Sequence, residues 1–190
     1  MVSAGAAKAD TLVTRSTPCI VLVGMMGAGK TTVGRELARR LHRRFVDSDH
    51  EICARTGVSV PVIFDVEGEP GFRRRESQVI EDLSLERDLV LATGGGVVLA
   101  EENRKVLRER CLVIYLDVPP AVLWERTRHD RNRPLLQVED PRGRIESLYH
   151  ERDPLYRDVA HVVVPGGRGS AKSMLRKIEK ALELACENSR

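Results

Sequence analysis

Apolar residues fall along this chain in two rhythms, short continuous runs and helical repeats, and the two alternate. Five runs predict strands, at 20–24, 45–48, 89–93, 112–116 and 161–164. After the first run, Val33, Leu37 and Leu41 share one helical face. A second helix is expected over 76–85, with Val79, Ile80 and Leu83 on one side, and a third over 101–109. A fourth starts at Pro119-Pro120, where proline suits a first turn, and carries Val122 and Leu123. The last covers 171–185, with Leu175, Ile178, Leu182 and Ala185 in register. Strands alternating with helices predict an α/β fold around a five-stranded parallel sheet, with ligands beyond the carboxyl ends of the strands.

Two segments break the rhythm. Residues 49–75 hold a candidate short helix near Ser59-Val60-Pro61 and the turn Glu67-Gly68-Glu69-Pro70-Gly71. Residues 129–141 are rich in Arg, Asp and Pro and show little periodicity. The plainer reading makes both surface loops. Their charge at the active end of the sheet favours a substrate-binding insert and a lid. Residues 18–188 are expected to form one domain, and residues 1–17 a flexible extension without the apolar core of a secretory signal.

Composition narrows the function classes. With 42% hydrophobic and 31% charged residues in 190, the chain reads as soluble and globular. Aromatics at 4% and a net charge of +3 give no basis for a nucleic-acid partner. No apolar run is long enough for a membrane. The four cysteines have no metal-ligand spacing, so a reducing cytoplasm is the default, with Cys19 and Cys111 as buried small hydrophobes.

Chemistry enters at Gly24-Met25-Met26-Gly27-Ala28-Gly29-Lys30-Thr31-Thr32, a phosphate loop between a strand and a helix. Its glycines let successive N–H groups turn toward phosphate oxygens, and the following helix adds the positive end of its dipole. Gly27, Ala28, Gly29, Lys30, Thr31 and Thr32 are the expected nucleotide-binding residues. Lys30 is expected at an exposed turn, reaching the β- and γ-phosphates, and Thr31 on Mg²⁺.

Three further groups sit where strands end. Asp47-Ser48-Asp49 follows the second strand, and in an extended chain its two carboxylates point to one side. One suits Mg²⁺ through water and the other a substrate hydroxyl; the competing reading is an Asx turn with Asp49 as the next helix's N-cap. Gly94-Gly95-Gly96 follows the third strand and permits close approach of a ligand to backbone. In Gly68-Glu69-Pro70-Gly71-Phe72-Arg73-Arg74-Arg75-Glu76, Arg73 and Glu76 share a helical face, a held guanidinium for a carboxylate; Arg74 and Arg75 fit solvent better.

Taken in order, GMMGAGKTTVGRELA, the DSD at 47–49, GEPGFRRRE at 68–76, ATGGG at 92–96, RPLL at 133–136 and ERDPLY at 151–156 resemble the shikimate kinases, from about Cys19 to Ala185. The resemblance implies a three-layer α/β/α P-loop kinase fold and ATP-dependent phosphorylation of the shikimate 3-hydroxyl. It implies that Asp49 holds the reacting hydroxyl and accepts its proton, and that Arg73 and Arg152 clamp the substrate carboxylate, with Glu76 orienting Arg73. Gly94, Gly95 and Gly96 would line the ring site. Asp47 would meet Mg²⁺ through water beside Thr31, Arg133 would reach the phosphates from the lid, and Arg126 would lie by the adenine. A monomer is the family expectation. One departure is Gly167-Arg168-Gly169-Ser170, where the family often has a proline on the adenine, so no adenine contact is assigned there. Gluconate kinase is the nearest alternative, since gluconate also carries a carboxylate. A non-catalytic nucleotide-binding module is the alternative of another kind.

Overall fold

The computed structural model describes residues 18–130 and 134–187. The expected extension at 1–17 lies outside them, as do residues 131–133 of the expected lid, Arg133 among them. The strands are β1 (Ile20–Val23), β2 (Arg44–Asp47), β3 (Leu89–Ala92), β4 (Leu112–Asp117) and β5 (Val162–Pro165). They form one parallel sheet in the order β2-β3-β1-β4-β5. The helices are α1 (Lys30–Arg40), α2 (Ser48–Thr56), α3 (Val60–Ser84), α4 (Glu101–Arg110), α5 (Pro120–Thr127), α6 (Pro141–Val159) and α7 (Ala171–Glu187).

Burial explains why strands can be read from apolar runs. All four residues of β1 are at most 3% exposed, because β1 is central and covered on both faces. Edge strand β5 instead alternates, with Val163 exposed and Val164 buried. Helix α1 packs with α7, while α4 packs with both α3 and α6.

The structure differs from the sequence expectation in three places. Helix α3 starts sixteen residues before the expected position 76, at Val60. The GEPG turn does not end it: Gly68, at φ 69° and ψ −179°, makes a single-residue break, and Pro70 sits in the first turn of the resumed helix. Helix α6 has no counterpart in the apolar pattern, although Asp140 caps it by accepting from Gly143 N at 2.9 Å and Pro141 opens it. Ser48 begins α2 rather than ending β2, which makes Asp47 the N-cap in place of Asp49; its Oδ1 accepts from Asp49 N at 3.1 Å.

Candidate active site

The carboxyl ends of β1, β2 and β3 lie side by side, so the phosphate loop, Asp47 and the triple glycine converge. The loop turns through left-handed φ values at Gly24, Gly27 and Gly29, which a side chain would strain. Lys30 is not at an exposed turn. It is 9% exposed, and its ammonium folds back over its own loop, donating to the Gly24 and Met25 carbonyls at 2.7 and 2.9 Å.

Thr31 Oγ1 donates to Asp47 Oδ2 at 2.7 Å. Asp47 therefore both caps α2 and faces the phosphate loop. A hydroxyl beside a carboxylate is a hard-oxygen pair that suits Mg²⁺, which keeps most of its waters and takes phosphate oxygens. No group of three or more His, Cys, Asp or Glu able to hold a metal occurs among the described residues. The protein would thus supply Thr31 and Asp47, and the nucleotide the rest.

The triple glycine is the floor on which the other groups meet. A Cβ at Gly94 would stand 2.9 Å from Asp49 Oδ1 and 3.0 Å from Glu76 Oε1. One at Gly95 would lie 3.4 Å from the Met26 amide nitrogen, and one at Gly96 would overlap the Arg73 guanidinium. Side chains here would fill the space between these charged groups. Ser48, 0% exposed, fixes the turn by accepting from Gly94 N at 3.0 Å.

Arg73 donates through Nη1 to Glu76 Oε2 at 2.6 Å and through Nη2 to Glu69 Oε1 at 3.0 Å. Glu76 is fully buried, so its carboxylate holds the guanidinium in one place. Arg152, 3% exposed, donates through Nη1 to the Gly95 carbonyl at 3.1 Å. Tyr156 donates to the same carbonyl at 2.5 Å. The sequence reading does not assign Tyr156, yet it lies four residues after Arg152 and so shares its helical face.

Asp49 Oδ1, Glu76 Oε1 and Arg152 Nε are buried without a hydrogen-bond partner among the described residues. Buried polar atoms are normally satisfied, so three together mark a place for polar ligand groups. Burial first, then the Asp47 charge, lift the Asp49 carboxyl above its ordinary range, against the pull of Lys30, Arg73 and His50. Burial likewise lifts Glu76, against the pull of Arg73.

On the other side of the phosphate loop lies a cavity of about 410 Å³, lined by Gly27, Thr32, Arg126, Gly167, Ser170 and Lys177 among others. Arg126 bridges its walls, donating to the Gly27 carbonyl at 3.1 Å and the Gly167 carbonyl at 2.7 Å. The segment after β5, unassigned from sequence, thus forms one wall through its backbone.

Comparison with known proteins agrees with this geometry. A family model described as shikimate kinase matches residues 26–183. Shikimate kinase of Aromatoleum aromaticum is 68% identical over 86% of this chain and 94% of its own length. That of Dechloromonas aromatica is 60% identical over 85% of this chain and 90% of its own. The solved structure of shikimate kinase from Acinetobacter baumannii in complex with shikimate superposes with a TM-score of 0.87 and 48% identity, covering 95% of this chain and 98% of that one. A gluconokinase structure from Sinorhizobium meliloti, 18% identical with a TM-score of 0.61 over 92% of this chain and 96% of its own, shares the fold alone. On its ordered motifs, its sheet and these relatives, the chain belongs to the shikimate kinase family.

Proposed function

We propose that this enzyme transfers the γ-phosphoryl group of ATP to the 3-hydroxyl of shikimate, giving shikimate 3-phosphate and ADP on the route to chorismate and the aromatic amino acids. The observation that carries the reading is the meeting of Arg73, Arg152, Asp49 and Glu76 on Gly94–Gly96, beside the phosphate loop. Two guanidiniums on one side and a carboxylate on the other suit a ring bearing a carboxylate and hydroxyls.

In this reading the ring lies on the triple glycine, and Arg73 and Arg152 take its carboxylate. The 3-hydroxyl oxygen bonds to the γ-phosphorus as the bond from that phosphorus to the β–γ bridging oxygen breaks. ADP leaves with the electron pair, and Asp49 takes the hydroxyl proton. Its proton affinity, raised by burial and by the Asp47 charge, suits a proton acceptor. The protein otherwise supplies position and positive charge, since phosphoryl transfer asks little covalent chemistry of it. Lys30 and the loop N–H groups face the phosphates, and Arg126 stands at the cavity proposed for the adenosine half. Thr31 and Asp47 would hold Mg²⁺, which would supply charge neutralisation. Residues 49–75 serve as the substrate-binding insert, and the expected lid at 129–141 includes Arg133, which lies outside the described residues. We take the enzyme as a cytoplasmic monomer.

Truncating one partner of a buried charge pair costs about 2–5 kcal/mol. Arg73→Ala and Arg152→Ala should each weaken shikimate use strongly, with a smaller effect on ATP. Arg74→Ala, an exposed neighbour, should do little. Steady-state kinetics with both substrates varied decides this. Equal effects of the three substitutions would mean a general basic surface in place of a clamp.

A further inference from the structure

Helix α6 carries Arg152 and Tyr156, and it also carries Pro154 in its interior. Proline has no N–H for the carbonyl four residues back and crowds that carbonyl, so a helix is free to bend where it stands. Here that weak point lies two residues from the guanidinium that the proposed function aims at the substrate.

A cluster of polar side chains spans Pro154. Asp153, just before Pro154, accepts from Arg157 Nε, just after it, at 2.8 Å. Arg157 also donates through Nη2 to Asp117 Oδ2 at 2.7 Å, and Tyr149, five residues before Pro154, donates to Asp117 Oδ1 at 2.7 Å. Asp117 ends β4, so both halves of α6 are tied to one fixed point of the sheet. A second line runs inward. Tyr115 of β4 donates to Asp153 Oδ1 at 2.8 Å, and its ring stacks on Tyr156, centroids 4.9 Å apart. Tyr156 and Arg152 then share the Gly95 carbonyl.

We propose that Asp117, Asp153 and Arg157 are positioning residues for substrate binding: they fix the course of α6 across Pro154 and so aim Arg152, without touching the substrate. This rests on the reading of Arg152 as a carboxylate clamp. The plainer alternative is that these are partly exposed ion pairs that add a little stability and nothing else; Arg157 is 46% exposed at its side chain.

Arg157→Gln removes both ion pairs while keeping a helix-forming, solvent-compatible residue. Shikimate affinity is measured by calorimetry, and both Michaelis constants by kinetics, for the parent, Arg157→Gln, Arg152→Ala and the double variant. Asp117→Asn serves as a second probe from the other end of the pair. Arg157→Gln should weaken shikimate binding about threefold or more, a coupling typical of residues in one network. The Michaelis constant for ATP should stay within about twofold, since sites without shared partners couple only weakly. In the Arg152→Ala background the same substitution should have no further effect on shikimate. Unchanged shikimate affinity, an equal loss in the Arg152→Ala background, or an equal loss for both substrates would each overturn the proposal. Unchanged affinity in Arg152→Ala alone would overturn the clamp and the proposal with it, and that single variant separates the two failures.

Discussion

Asp49→Asn should melt at a higher temperature than the parent at neutral pH while its turnover falls by at least about 10²-fold, the lower end of what general-base catalysis contributes. Both effects come from one carboxyl. Burial and the neighbouring Asp47 raise its proton affinity in the fold. A carboxyl whose folded-state pKa lies above the unfolded value stabilises the fold fully below the unfolded value. That contribution is lost as pH rises through the folded value. At neutral pH, above the unfolded value, the parent therefore bears a cost for its raised proton affinity that the isosteric amide does not. The difference in melting temperature should shrink as pH falls toward the ordinary aspartate range, where the parent is protonated as well. Calorimetric scans across that range, with turnover measured beside them, check both halves. Unchanged turnover would remove Asp49 from the reaction, and a lower melting temperature at neutral pH would mean that its charge is held by Lys30 and Arg73 at no net cost.

Lys30→Met should lose turnover by at least about 10²-fold, the usual cost of one preorganised donor facing developing charge. The thioether chain keeps the apolar stem and removes only the ammonium. Because Lys30 is buried and donates to Gly24 and Met25, the substitution also removes two hydrogen bonds. Bonds to a charged donor are worth about 1.5–3 kcal/mol each. A fall of several degrees is therefore expected, at about 2–4 °C per kcal/mol for a domain of this size. The rise in melting temperature on adding Mg²⁺-ATP should be large in the parent and nearly absent in the variant. A ligand-induced rise equal to the parent's would mean that Lys30 serves only to fold the loop.

The strands were legible because three of the five are buried on both faces, so continuous apolar runs marked them. Their ends were legible to within a residue or so. Helix α6 was not, because its buried face, Ile145, Leu148, Arg152, Tyr156 and Val159, includes a charged residue, and the helix carries an interior proline, Pro154. Its start was written in Asp140-Pro141, a cap and a first-turn proline. The second strand shows a different limit. Alternation placed Asp47 and Asp49 on one side of an extended chain, but the chain is already helical at Ser48. Both aspartates still reach the site, Asp47 through the capping geometry and Asp49 through the first turn of α2. Arg73 and Glu76 were legible from helical spacing alone. The exposure of Lys30 was misread because no periodicity reports a side chain that folds back on its own loop. The cavity wall after β5 was illegible for a similar reason, since it is built from backbone and glycine.

One assay identifies the phosphoryl acceptor directly. ADP release is followed with Mg²⁺-ATP and, in turn, shikimate, gluconate and a nucleoside monophosphate, and the phosphorylated product is analysed by NMR. Turnover with shikimate alone, with the phosphoryl group on the 3-oxygen, is the expected result. Turnover with gluconate or the monophosphate in preference to shikimate, or ADP release with none of the three, would contradict it.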